Sequence, residues 1–346
     1  MSGFVVLEDG AVFRGRSVGT LSVAYGEAVF TTAMTGYQEI ATDPSYAEQL
    51  VTFTAPMVGN YGVSPRRSES GRAHAAAVLM RRAGEEWARW LAGQGVVALE
   101  EIDTRSLVLH LRARGAMRAA AVAGPASVEE VLTAVRAQTP MEGRALVAGV
   151  STATAYSLGR GALRVAVLDY GCKRSILSRL NACGVQAKVF PHDADADAIL
   201  AERPAGVLLS NGPGDPAALP EQVSVVRELL GRVPLLGICL GHQLLALAAG
   251  LETFKLPFGH RGANHPVLDL AASRVLVTSQ NHGFAVAGDG PAVTHVSLYD
   301  GTVEGLALPG ERARSVQFHP EAGPGPHDAW PFLEAWVKEL PYAQAA

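Results

Sequence analysis

The chain has 346 residues, with 29 Lys plus Arg against 33 Asp plus Glu, a net charge of −4 and 48% apolar residues. That length favours two domains, each with its own core. The weak charge and the lack of a basic run speak against nucleic acid, and no apolar stretch reaches the length of a membrane span. Three cysteines, Cys172, Cys183 and Cys239, form no Cys-x-x-Cys; this suits a reducing cytoplasm, not a disulfide framework. Met1–Phe4 leads into a strand pattern with no signal peptide before it, so a cytoplasmic location is expected.

In chain order, Phe4–Leu7 and Ala11–Phe13 flank Glu8-Asp9-Gly10 and predict a hairpin. Ala28–Thr32 reads as a strand. Met34–Tyr46 is rich in turn formers and polar groups and predicts a surface loop. A strand is expected at Gln49–Thr54 and a turn at Val58–Val63. A helix over Glu85–Leu91 carries Trp87 and Trp90 at helical spacing, so both are expected in the core. Asp103–Arg112 and Ser127–Ala137 predict two further helices, the second opened by the capping box Ser127-Val128-Glu129-Glu130. Ala116–Ala120 between them reads as a short strand. This half shows no metal-ligand spacing and no nucleotide fingerprint.

Ser151–Gly161 is small and polar and reads as a linker. Strand and helix then alternate: strands at Arg164–Asp169, Val185–Phe190, Gly206–Ser210 and Pro234–Ile238, with helices at Ser175–Asn181, Asp195–Glu202, Pro220–Leu230 and Leu240–Ala249. Apolar strands in repeated β-α units predict a mostly parallel sheet with helices on both faces. Phe254–Phe318 reads as shorter strands and turns, and His327–Lys338 as a final helix. The fold class is α/β: a helix-flanked, mostly parallel C-terminal sheet after a smaller mixed α/β N-terminal domain. Boundaries are drawn at 1–150, a linker at 151–162, and 163–346.

Three stretches carry chemistry. Gly237-Ile238-Cys239-Leu240-Gly241 places a cysteine between a strand and a helix, with glycines two positions to either side. This is the cysteine form of a nucleophile elbow. The glycines remove side chains that a sharp bend would strike, and the free N–H groups of a helix start favour thiolate. A buried structural cysteine is the bland alternative. His319-Pro320-Glu321 follows a strand; residues two apart in an extended segment point the same way, so Glu321 can orient His319 as a base. Ser210–Pro216 is a Gly/Pro-rich loop after a strand that can aim N–H groups at an oxyanion, with the Leu240 N–H as second donor. An ordinary turn would look the same. His242 is read as a histidine that packs its helix.

Gly237–Gln243 with His319-Pro320-Glu321 resembles the class I (triad) glutamine amidotransferases. Asn211–Pro216, Gly262–Val267 and Gln280–Val286, together with Met34–Tyr46, resemble the small, glutaminase subunit of carbamoyl-phosphate synthase. The resemblance implies Cys239 as nucleophile, His319 as base and Glu321 as its orienter. It implies a glutamine site from Ser45, Gly212, Gly214, Leu240, Gln243, Asn281, Gly283 and Phe284, with oxyanion N–H groups on Leu240 and Gly212. It implies no cofactor or metal in this chain. The partner it implies is a large subunit that uses ATP, Mg and bicarbonate to make carbamoyl phosphate for arginine and pyrimidine supply. Cys172, Ser175 and Arg261 depart from the usual pattern of that family. The competing readings are a glutaminase for anthranilate, GMP or CTP synthesis, and a silent amidotransferase fold acting as a regulatory subunit.

Overall fold

The computed structural model describes residues 1–341. The chain forms two compact units: Met1–Arg144 with Pro257–Gly262, and Ala145–Leu256 with Ala263–Ala346.

The first unit is a closed seven-stranded barrel, ordered β1-β2-β6-β5-β4-β3-β7. Its elements are β1 (Ser2–Leu7), β2 (Val12–Ser17), β3 (Val23–Thr31), α1 (Tyr37–Thr42), β4 (Gln49–Phe53), β5 (Ala77–Leu79), α2 (Glu85–Gly93), β6 (Val97–Glu100), α3 (Thr104–Arg114), β7 (Met117–Ala123) and α4 (Val128–Ala137). The expected hairpin is the antiparallel pair β1–β2, with Val5 opposite Phe13. Period-two alternation decides what each side chain covers. Val5 and Leu7 join Leu50, Leu79, Leu99 and Ala121 in one core. Phe4 and Val6 pack with Val131 and Val135 of α4 in another. Both helices are capped by side chains: Asp103 accepts from the Ser106 N–H at 3.0 Å, and Ser127, the expected cap, from the Glu130 N–H at 3.4 Å.

Two readings of this unit are corrected. Residues 34–46 are not a surface loop: they hold α1 and a 3-10 turn, Pro44–Tyr46, and Tyr37, Gln38, Ile40, Ala41, Thr42, Ser45 and Tyr46 are buried. The polar groups that suggested exposure are satisfied internally. Gln38 donates to Ser64 O and Ser68 Oγ, both at 2.8 Å, and Asp43 caps the 3-10 turn through the Ser45 N–H at 2.9 Å. Trp87 is fully buried, but Trp90 is only half-buried and stacks on it at 5.0 Å.

The second unit carries a ten-stranded sheet, ordered β14-β13-β15-β16-β17-β12-β11-β9-β10-β8. Its elements are β8 (Tyr156–Leu158), β9 (Leu163–Leu168), α5 (Arg174–Ala182), β10 (Val185–Phe190), α6 (Ala196–Ala201), β11 (Gly206–Leu209), α7 (Pro220–Leu229), β12 (Leu235–Ile238), α8 (Leu240–Ala248), β13 (Thr253–Asp269), β14 (Arg274–Val286), β15 (Val293–Ser297), β16 (Val303–Leu308), β17 (Ala313–Val316) and α9 (Trp330–Glu339). Strands β10, β9, β11, β12 and β17 are parallel neighbours. Ala166, Leu168, Val207 and Leu209 point to the side covered by α6, α7 and α8. Val165, Val167, Leu208 and Leu236 point to the side covered by α5 and α9, against Ile176, Leu180, Leu333 and Trp336. Both faces are thus buried, as near-continuous apolar strands require.

Three readings change here. The stretch read as linker contributes β8, antiparallel to β10 at the sheet edge. Residues 254–318 open with two long strands, β13 spanning 17 residues and β14 spanning 13, before the short strands β15, β16 and β17. The last helix starts at Trp330, three residues later than read.

Candidate active site

The chain order reverses between β9 and β11. Ligands of open α/β sheets sit at such a switch, beyond the carboxyl ends of the strands. The segments leaving β9, β11 and β12 all reach that edge. Tyr170 N–H donates to Ser210 Oγ at 3.0 Å, and Lys173 N–H to Asn211 Oδ1 at 3.1 Å, tying the first two segments together. Gly212 is needed for this approach: a Cβ there would lie 2.2 Å from Tyr170 O.

Cys239 follows β12 with φ 53° and ψ −104°, a conformation that L residues rarely hold. The turn closes because both neighbouring glycines lack side chains. A Cβ on Gly237 would lie 2.5 Å from Gly241 O, and one on Gly241 would lie 2.1 Å from Leu209 O. The bend puts the sulfur at the N-terminus of α8, where the first-turn N–H of Leu240 has no partner within the helix. The thiol is buried and donates to Asn281 O at 3.5 Å.

His319 and Glu321 are both buried, with His319 Nδ1 2.7 Å from Glu321 Oε1. That contact leaves His319 Nε2 with no hydrogen-bond partner of its own. Burial alone pushes the imidazole towards its neutral form. The charge of Glu321 outweighs this, and the neighbouring Cys239 thiol adds to it, so the His319 pKa is raised. Glu321 shows the converse: burial favours the acid, but the positive charges of Lys173 and His319 hold its carboxyl well below the usual range. Lys173 caps α5 and places Nζ 2.7 Å from Glu321 Oε1, with almost no exposure of either side chain. Sequence reasoning missed this lysine. Its one signal was a lysine directly before an amphipathic helix, at the end of a β-α loop beside the sheet edge.

Around the sulfur, Gln243 Nε2 donates to Phe284 O at 2.9 Å and to Gln317 Oε1 at 3.0 Å, which uses both of its amide hydrogens. Asn281, Gly283 and Phe284 lie on β14, and His282 Nδ1 sits 2.7 Å from Phe284 O. Buried Glu304 accepts from Gln280 Nε2 at 2.7 Å. Gly214, with φ 95°, lies in the loop after β11. His242 is fully buried, with Nδ1 2.8 Å from Ser315 Oγ, and burial depresses its pKa to about 3; it packs its helix in the neutral form. The second unit therefore brings Cys239, His319, Glu321, Leu240, Gln243, Asn281, Phe284 and the 211–214 loop to one sheet edge. Ser45 lies in the first unit, buried in the 3-10 turn after α1.

Residues 166–338 match the family model of glutamine amidotransferase class-I, and residues 5–121 match that of the carbamoyl-phosphate synthase small chain, CPSase domain. The chain is 46% identical to the carbamoyl phosphate synthase small chain of Xanthomonas campestris, over 99% of this chain and 98% of that one. It is 44% identical to that of Akkermansia muciniphila, over 95% and 94%. It is 46% identical to that of Symbiobacterium thermophilum, over 93% and 94%. The chain belongs to the carbamoyl phosphate synthase small chain family.

Membership of that family makes the second unit a class I glutamine amidotransferase domain. Two of the family departures noted in the sequence, Cys172 and Arg261, make local hydrogen bonds. Cys172 donates its N–H to Asp169 Oδ1 at 2.7 Å, and Arg261 donates through Nη1 to Phe258 O at 2.8 Å. Among the described residues no helix is long and apolar enough to cross a membrane.

Proposed function

We propose that this chain hydrolyses L-glutamine at Cys239 and hands the ammonia to a large synthetase subunit, which combines it with bicarbonate and ATP as carbamoyl phosphate. The observation that supports this most is the buried His319–Glu321 pair at 2.7 Å, set beside a cysteine on a glycine-flanked elbow. The family match over residues 5–121 favours carbamoyl-phosphate synthesis over a glutaminase for another synthase.

In this mechanism Cys239 Sγ attacks the glutamine carboxamide carbon while His319 Nε2 takes the thiol proton. The carbonyl oxygen becomes an oxyanion against the N–H groups of Leu240 and Gly212. As the C–N bond breaks, His319 returns the proton to the leaving nitrogen, releasing ammonia and leaving a γ-glutamyl thioester. Water, deprotonated by His319, then attacks the thioester to give glutamate and the free thiol. Glu321 stays ionised throughout; it fixes the ring and stabilises the imidazolium. Gln243, Gly214, Asn281, Gly283 and Phe284 complete the glutamine site within the second unit. ATP, Mg and bicarbonate are assigned to the partner.

The test is alkylation by a glutamine analogue with an electrophilic side chain. Peptide mapping should find the label on Cys239, and glutamine should protect it. Labelling elsewhere, with Cys239 free, would refute the assignment.

A further inference from the structure

Glu321 is gripped a second time, through its backbone. The indole Nε1–H of Trp330 donates to Glu321 O at 3.2 Å. The Trp330 ring is itself held on two sides. The Arg179 guanidinium lies 3.4 Å from its centroid, and the His327 ring stacks at 3.6 Å with planes 21° apart. Two groups this close to the ring centre cannot share one face, so the indole is sandwiched. Arg179 also pairs with Glu334 at 3.2 Å, one helical turn beyond Trp330 on α9.

The helix α5 thus reaches the orienting glutamate at two points. Its N-cap, Lys173, meets the carboxylate directly. Arg179 is six residues on, about 9 Å along the helix axis at ~1.5 Å per residue, and meets the carbonyl through Trp330. The segment between needs such a hold. Ala322, next after Glu321, has φ 53°, which a non-glycine residue keeps only when its surroundings impose it. A single hydrogen bond and a cation on an indole face each contribute modestly at a half-exposed site. Their effect here lies in geometry: base and orienter must be held to a fraction of an ångström.

We infer that Trp330, clamped between Arg179 and His327, is a positioning residue for the triad, holding the Glu321 backbone so that its carboxylate meets His319 Nδ1. The inference rests on the reading of Glu321 as the orienter of the catalytic base. Trp330 touches neither substrate nor the reacting atoms; it acts through Glu321.

The experiment compares Trp330→Phe, which keeps a ring for stacking but removes the donor, with Arg179→Met, which keeps the donor but frees one face of the ring. Steady-state glutamine hydrolysis is measured across pH on the complete chain with its large subunit, alongside thermal melting. A loosened Glu321 stabilises the imidazolium less, so His319 loses its proton at lower pH. Trp330→Phe should lower kcat by ~3–10-fold with KM for glutamine little changed, and should move the acid limb of kcat, where His319 must be neutral to act as base, to lower pH. Arg179→Met should move it the same way by less. A role in packing alone predicts a lower melting temperature with the kcat and pH profile of the wild type, and that result in a folded Trp330→Phe overturns the inference. If Trp330→Phe does not fold, Arg179→Met decides: an unshifted profile overturns the inference, a shifted one supports it. Loss of Cys239-dependent hydrolysis in the wild type would instead overturn the reading of the site, and this inference with it.

Discussion

Replacing Lys173 by Met removes one of two positive partners from a carboxylate that has almost no contact with solvent. Methionine matches the lysine stem in length, so the packing loss is small and the electrostatic loss dominates. Breaking a buried ion pair from one side costs roughly 3–5 kcal/mol, because the remaining charge stays buried. Here His319 still faces Glu321 Oε1 at 2.7 Å, which places the expectation at the lower end, about 3 kcal/mol. For a unit of this size that corresponds to a melting temperature lower by roughly 6–12 °C. The pH dependence has a definite sign. The Glu321 carboxyl is lowered in the fold, so its stabilising contribution is present above its ordinary pKa of 4.5 and lost as pH falls through the folded value. His319 is raised, so its contribution is complete below 6.5 and lost as pH rises through its folded value. Lys173 opposes the protonation of His319, so removing it weakens the glutamate contribution and not the histidine one. The stability gap between wild type and variant should therefore be widest near neutrality and narrow in acid. Urea unfolding at pH 7 and at about pH 2, where the folded carboxylate also takes up its proton, measures it. A gap equal at both pH values, or absent at pH 7, would refute the reasoning. With Glu321 less firmly held, kcat for glutamine should also fall by ~10–100-fold, a part of what a lost acid–base group costs.

Three further predictions follow from the same geometry. His319→Asn should lower glutamine turnover by at least ~10²-fold, while Glu321→Gln should cost less because Glu321 never carries the transferred proton; the reverse order would exchange their roles. Gly241→Ala should disrupt the elbow, since its Cβ would meet Leu209 O at 2.1 Å; expected are ~1–3 kcal/mol of lost stability and a damaged kcat, and an unaffected enzyme would show that the backbone yields there freely. Gln243→Ala should raise KM for glutamine more than it lowers kcat, as the loss of a substrate contact does; an unchanged KM would remove Gln243 from the glutamine site.

What was legible in the sequence was local. Gly237–Gly241 and His319–Glu321 each encode their geometry within a few residues, and the apolar β-α units announce a parallel sheet. Residues 34–46 misled because their polar groups are satisfied by chain far away: Gln38 finds Ser64 and Ser68, and Tyr61 Oη accepts from the Gly36 N–H at 2.6 Å. A six-residue helix is also too short to show a period. The length of β13 and β14 was hidden by glycine, proline and histidine within them. Lys173 and Trp330 were illegible for a different reason. Each acts on Glu321 from a distant point in the chain, and nothing near either residue states that partner.

The central claim is a division of labour: nitrogen is released at Cys239, and the ATP-using steps occur elsewhere. It is tested by carbamoyl phosphate formation, trapped with ornithine as citrulline, for wild type and Cys239→Ser in complex with the large subunit. Glutamine and ammonium are each supplied as nitrogen source. The account predicts that Cys239→Ser blocks the glutamine-driven reaction and leaves the ammonium-driven one intact. Loss of both in a folded, associated variant, or retention of both, would contradict it.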